Sequence, residues 1–204
     1  MINFSEVKSF SIPEGEVTEL TIGGKVVWKL PQAKDYTFME YLQFNKDKRF
    51  DTGIICTEAT KIEITFTKES NTTAYVYGVR NSGNTASVYA YFSNSGYWQF
   101  GNKYKSYILE LDTIHNATID KSGITMNGTK TSFTSDTFTA NATLVIGTSR
   151  RNDGTMPTAQ YIGKIYSFKM YNNNELILDW KPCKKADGTE GFFDTVTNQF
   201  ISEV

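Results

Sequence analysis

Between residues 61 and 68 apolar and polar side chains alternate one for one: Ile62, Ile64 and Phe66 share one parity, and Lys61, Glu63, Thr65 and Thr67 share the other. Successive side chains of a strand point to opposite faces, so this run predicts a strand with one dry and one wet face. Similar short runs follow at about 74–80 (AYVYGVR), 87–93, 96–101, 106–111 and 115–120, each bounded by Gly, Asn, Asp or Ser. ITMNG, TLVIGTS, YIGKIYSFKMY and ELILDWK continue the series, and Asp187-Gly188 predicts a closing hairpin. Within IDKSGITMNGT, two closely spaced turns predict a tight meander over 120–129. No helical periodicity persists beyond one or two turns. Roughly a dozen short strands without a helical layer must fold sheet on sheet, which predicts an all-β sandwich or jelly roll over residues 38–204.

Residues 1–30 read as a separate unit, because TELTI and KVVWK flank Gly23-Gly24, a pair free to take the positive φ of a tight hairpin turn. An isolated hairpin is marginal in water, so this one is expected to pack on a neighbour. Residues 31–37, PQAKDYT, read as a linker.

Composition sharpens the fold class. The 204 residues contain 52 Ile, Val and Thr against 18 Leu and Ala, so β-branched residues far outnumber the best helix formers. The aromatic share of 14% supplies large apolar area for a core. A formal net charge of −1 argues against a nucleic-acid partner, and Lys103-Tyr104-Lys105, Arg150-Arg151 and Lys184-Lys185 read as solvated loop charges. No apolar run reaches the roughly 20 residues of a membrane span, and the start MINFSEVKSF lacks the basic and apolar regions of a secretion signal. Cys56 and Cys183 form no metal or redox spacing and read as separate thiols, with a single bridge left open for the case that their strands are neighbours.

The runs YLQFNKDKRFDTGI, HNATID, GKIYSFKMYNNNELILDWKPC and DGTEGFFDTVTNQF together resemble the concanavalin A-like (laminin-G-like) jelly-roll modules of phage and prophage tail or minor structural proteins. IPEGEVTELTIGGKVVWK is similar to a short segment that precedes variable modules in such proteins. The resemblance implies a two-sheet antiparallel jelly roll behind a joining segment. It also implies a virion or prophage origin with synthesis in a bacterial cytoplasm, other tail proteins as partners, and, by analogy, a homo-oligomer such as a trimer.

Glycoside hydrolases of this fold class often carry E-x-D-x-x-E on one strand. The nearest run here, Glu110-Leu111-Asp112-Thr113-Ile114-His115, has His in the last position, so the acid and nucleophile pair is incomplete and Glu110 and Asp112 are expected to end a strand. The sole histidine, His115, has no G-x-S-x-G partner and is expected at a strand edge. No glycine-rich loop opens a helix, which leaves nucleotide chemistry without a phosphate cradle. Calcium is suggested by family analogy at the Asn81-Ser82-Gly83-Asn84 and Arg151-Asn152-Asp153-Gly154 loops, although Arg150 and Arg151 oppose a cation there. No other cofactor is expected.

What remains is aromatic and amide richness, the pairing a sugar ring needs for its C–H faces and its hydroxyls. In SVYAYFSNSGYWQFGN, alternation places Val88, Ala90 and Phe92 inward and Tyr89 and Tyr91 outward; Tyr97 and Gln99 share the parity opposite to Trp98, unless a bulge at Gly96 inverts it. The candidate carbohydrate-binding residues are Tyr89, Tyr91 and Tyr97, with Arg80 and Asn81 from one loop and Arg150, Asn152 and Asp153 from another that must converge on it. Outward tyrosines in β sandwiches serve more often as cross-strand packing partners than as ligand platforms. The leading expectation is a non-catalytic module that recognises a cell-surface glycan. A structural or assembly protein without glycan binding is the first alternative, and a glycoside hydrolase or depolymerase the second.

Overall fold

The computed structural model describes residues 19–22, 25–29, 36–46, 48–81, 83, 85–156 and 161–204. The expected hairpin spans β1 (Glu19–Ile22) and β2 (Lys25–Lys29), paired antiparallel; its Gly23-Gly24 turn and residues 31–35 of the expected linker lie outside the described residues.

The sandwich begins two residues earlier than expected. β3 (Tyr36–Phe38) belongs to a sheet and not to a linker, since it pairs with the last residues of a long later strand. Then come β4 (Leu42–Asn45), β5 (Phe50–Thr57), β6 (Thr60–Thr67), β7 (Ala74–Arg80), β8 (Ser87–Phe92), β9 (Gly96–Gly101) and β10 (Lys103–Tyr107). The second half contains β11 (Ile114–Asp120), β12 (Gly123–Met126), β13 (Thr129–Ser132), β14 (Thr139–Ile146), β15 (Arg150–Arg151), β16 (Ile162–Asn172), β17 (Glu175–Lys185), β18 (Glu190–Asp194) and β19 (Gln199–Ile201). There is no helix among the described residues.

These strands form the expected two-sheet antiparallel jelly-roll sandwich. One sheet runs β10-β9-β8-β7-β14-β5, with β15 joining β7 in parallel; the other runs β13-β12-β11-β6-β16-β17-β18-β19, with β4 beside β16 and β3 beside β17. Aromatic contacts between the sheets mark the core: Phe66 lies 5.8 Å from Trp98, Tyr77 lies 5.9 Å from Phe168, and Phe50 lies 6.4 Å from Trp180. Each such ring removes on the order of 150–250 Å² from water, so burial of these faces is the main force holding the layers together.

The alternation of residues 61–66 holds, with Ile62, Ile64 and Phe66 buried. Its expected wet end does not, because Thr67 and the following Lys68 are both buried. Thr67 Oγ1 accepts the Lys164 amide at 3.1 Å, while Lys68 threads its stem inward and its ammonium donates to the Ser93 carbonyl at 2.8 Å. Burial pushes the Lys68 pKa down. The bond ties the end of β6, in one sheet, to the β8–β9 turn of the other.

The strand expected at 106–111 lies earlier in the chain. Lys103–Tyr107 pairs along β9 as an edge strand, so Lys103 and Lys105 are strand residues and not loop charges, whereas residues 108–113 leave the sheet. Lysines suit an edge because their charge opposes further strand pairing. Cys56, on β5, and Cys183, on β17, are buried in different sheets and are free thiols.

Candidate functional site

The outer face of the smaller sheet carries a row of tyrosines whose order follows from strand register. Tyr75, Tyr91, Tyr97 and Ser106 lie across from one another on β7, β8, β9 and β10, and the adjacent row holds Gly78, Tyr89, Gln99 and Tyr104. Val88, Ala90, Phe92, Trp98 and Phe100 are all buried on the opposite side, so the parity read from sequence stands without inversion at Gly96. A bulge between Tyr75 and Tyr77 keeps Tyr75 outward even though Val76, Tyr77 and Val79 are buried.

The row is packed as well as outward. Tyr75 and Tyr91 have ring centroids 4.9 Å apart, Tyr75 and Tyr89 5.7 Å, and Tyr91 and Tyr97 6.0 Å. Burial decreases along it, from buried Tyr75 through half-buried Tyr89 and Tyr91 to Tyr97 at 38% exposure, with Tyr104 at 66% on the edge strand. The cluster therefore has a fixed inner end and an open outer end. Burial raises the phenol pKa of Tyr75 and Tyr89, and the nearby Arg80 charge offsets part of that rise.

Arg80, at the end of β7, lies against this cluster. Its guanidinium carbon is 5.4 Å from the Tyr75 ring centroid and 5.5 Å from that of Tyr89, and Nη1 donates to the Tyr75 hydroxyl. An Arg held by two rings and a hydrogen bond has surrendered most of its rotamer freedom before any ligand arrives.

The second loop converges on the same place, as the sequence reading required. β14 pairs with β7, and after Gly147, at φ +85°, the chain returns as β15 so that Arg151 lies opposite Arg80 in parallel register. Gly78 makes this possible: a Cβ built there would lie 2.7 Å from the Cβ of Ser149. Arg80, Asn81, Arg151, Asn152 and Asp153 then line one cavity of about 230 Å³. Asp153 Oδ1 accepts both the amide (2.9 Å) and the hydroxyl (2.6 Å) of Thr155, and these bonds hold its pKa below the usual carboxylate value.

Not every candidate sits there. Arg150 points away from the cavity: it pairs with Asp51 at 2.7 Å and also donates to Thr143 Oγ1, bracing β15 against β5 and β14. Arg151 takes the place expected of Arg150, because one residue of register decides which of two neighbouring arginines faces the groove. Tyr91 is wedged between Tyr75 and Tyr97. Tyr75, Tyr104 and Gln99 were missed as site residues. An isolated aromatic between lysines 103 and 105 was the available signal for Tyr104. Ser82 and Asn84 of the first loop lie outside the described residues.

The acid/base candidates are neighbours in the chain but are split between an exposed loop and buried β11. Glu110 and Asp112 are exposed in the loop after β10, beyond any strand. His115 is buried beside Phe66 at 5.6 Å and not at an edge, since β11 lies between β6 and β12. Its Nε2 meets the Glu110 carbonyl at 3.0 Å, and its Nδ1 meets the Asn127 amide nitrogen at 3.1 Å. Those partners use both ring nitrogens structurally. Among the described residues no cluster of three or more His, Cys, Asp or Glu could hold a metal ion; the carboxylate at the calcium-like loop, Asp153, has two arginines beside it in the cavity lining.

No family model matches the chain, and no curated protein matches it. Among solved structures it is similar to the native heptameric SAP-like pentraxin from Limulus polyphemus, with TM-score 0.41 and 12% identity over 72% of this chain and 79% of that one. It is also similar to domains LG4-5 of the mouse laminin alpha1 chain, with TM-score 0.47 and 12% identity over 76% of this chain and 48% of that one, about half its length.

Proposed function

We propose that this chain is a non-catalytic carbohydrate-binding module, serving receptor recognition on a phage or prophage tail and located in the virion. The observation that carries the binding reading is the convergence of Arg80, Asn81, Asn152 and Asp153 on one cavity beside an aromatic face that opens toward Tyr97 and Tyr104. Guanidinium, amide and carboxylate groups match sugar hydroxyls, and exposed phenol faces match the C–H faces of pyranose rings. Weak single sites would gain strength by repetition in a homo-oligomer. The non-catalytic part rests on the exposed loop position of Glu110 and Asp112 and on the structural use of both ring nitrogens of buried His115, and the tail setting on the sequence resemblance.

Glycan-array screening of the purified chain, followed by calorimetry, tests the reading: binding to a bacterial wall or capsular polysaccharide without release of reducing ends is expected. Silence across both polysaccharide classes overturns it. Release of reducing ends overturns the non-catalytic part, and flanking genes unrelated to tails overturn the setting.

An assembly face without sugar binding is the competing reading, and the packing of Tyr75, Tyr89 and Tyr91 on one another is the observation that favours it. It requires the open end at Tyr97 and Tyr104 to be covered by another subunit. Light scattering together with Tyr104→Glu decides, since only an assembly face loses its oligomer in that variant.

A further inference from the structure

The site face contains two recesses. Beside the arginine cavity lies a larger one of about 470 Å³, lined by Thr85, Tyr89, Tyr97, Gln99, Asn102 and Tyr104. Small-molecule sites span roughly 300–1,000 Å³, so the two together are of ligand size where the smaller alone falls short.

They share a wall. Arg80 lines the first and Tyr89 the second, with the guanidinium carbon 5.5 Å from the ring centroid. Asn81 of the first bonds Thr85 of the second twice: Asn81 Nδ2 donates to Thr85 Oγ1 at 3.1 Å, and the Thr85 amide donates to Asn81 Oδ1 at 3.0 Å. A ligand lying across that wall would touch both.

Their chemistry differs. Among the described residues the larger recess presents phenol faces and amides without a charged group, whereas the smaller presents two guanidinium groups against one carboxylate. That carboxylate, on Asp153, is directed to its own turn at Thr155. Among the described residues neither Arg80 nor Arg151 is in an ion pair, and Arg80 Nε is buried without a hydrogen-bond partner. An anion entering the recess would meet two guanidinium groups that no carboxylate among the described residues pairs with, and charge-assisted bonds would hold it.

We infer that the two recesses are adjacent subsites for one acidic oligosaccharide: the tyrosine recess takes a neutral pyranose ring, and the arginine recess takes the anionic substituent, carboxylate, sulfate or phosphate, of the next sugar. This rests on the glycan reading above. Tyr75 and Tyr89 hold Arg80 in place as the fixed half of the anion clamp, and Arg151 is its exposed, adjustable half.

Calorimetry on the whole chain tests it. The probes are a hyaluronate hexasaccharide, the same oligomer with its carboxyls reduced to alcohols, a kappa-carrageenan hexasaccharide and a glucosylated glycerol-phosphate oligomer, which separate carboxylate, sulfate and phosphate while each keeps a neutral ring. At least one acidic probe is expected to bind about tenfold or more tightly than the neutral hexasaccharide, with affinity falling as salt screens the charges. Arg151→Gln is expected to remove about tenfold of that affinity, Lys130→Gln on the other sheet none, and Tyr97→Ala to weaken acidic and neutral probes alike. Neutral binding equal to acidic, or an acidic affinity that survives Arg151→Gln, overturns the anion subsite and leaves the glycan reading standing. Silence of all four probes, together with silence on the glycan array, overturns both.

Discussion

Gly78 and Ser149 approach so closely that a Cβ on the glycine would lie 2.7 Å from the Cβ of the serine. Gly78 is in ordinary extended backbone, so what the position demands is space and not positive φ. Its empty side lets the chain after β14 lie against β7 and brings Arg151 level with Arg80. Gly78→Ala is expected to cost about 1–3 kcal/mol through overpacking. Urea unfolding should show the loss, and binding should weaken with it because β15 is displaced; unchanged values in both would mean that β15 is not held by this contact.

Tyr97 and Tyr104 stand at the open end of the aromatic row, whereas Tyr75 is its buried anchor. Tyr97→Ala and Tyr104→Ala are expected to leave stability within about 0.5 kcal/mol, as exposed positions usually do. Each should reduce glycan affinity by about three- to tenfold, the equivalent of one aromatic contact. Tyr75→Ala should instead lower stability by about 3 kcal/mol, as loss of a buried ring does. Denaturation and calorimetry on the three variants separate the two roles.

The two neighbouring arginines should behave differently. Arg150 is half-buried against Asp51 and Thr143, so Arg150→Gln is expected to cost about 1–2 kcal/mol of stability with little direct effect on binding. Arg151→Gln is expected to do the reverse. Thermal unfolding and calorimetry of both variants check the exchange, and equal effects would mean that the register of β15 differs.

Stability should fall in alkali. Burial raises the thiol of Cys56 to about 12 and that of Cys183 to about 11, from an ordinary value of 9.0, and pushes the phenols of Tyr77 and Tyr161 well above 10.0. The folded state thus holds these protons more tightly than the unfolded chain. The advantage is complete below the unfolded values and is lost as pH rises from about 9 through the folded ones. Urea midpoints at pH 7 and in stepwise alkali should decline over that window, and neither thiol should react with a thiol reagent at pH 8 until the chain unfolds. A native chain that reacts promptly would place a thiol at the surface.

His115 links the β10–β11 connection, through the Glu110 carbonyl, to Asn127 in the β12–β13 turn. His115→Ala is expected to lower stability by about 1–3 kcal/mol, since it empties a buried position against Phe66 and removes the partner of the Glu110 carbonyl and of the Asn127 amide. Glycan affinity should be retained, and loss of binding without loss of stability would give the histidine a role at the site.

Much of the fold is written in alternation. A strand's side-chain period of two is a local geometric property, so Ile62, Ile64, Phe66, Val88, Ala90 and Phe92 could be assigned to the core, and Tyr89 and Tyr91 to the outside, before any sheet was known. Turn residues acted the same way at Gly188, whose φ of +90° closes the hairpin anticipated there.

Tertiary structure decided what lies beside what. Thr67 and Lys68 look like surface residues in sequence; Lys68 is buried because it reaches the other sheet's β8–β9 turn, and Thr67 because the Lys164 amide and Glu69 close over its hydroxyl. Whether Arg150 or Arg151 faces the groove depends on register with β7, a strand some seventy residues earlier, and local pattern carries no record of a pairing so distant. Local backbone geometry sorted each strand into an inner and an outer face; the order of strands in the sheet, set by burial of the whole core, chose which outward residues share a groove.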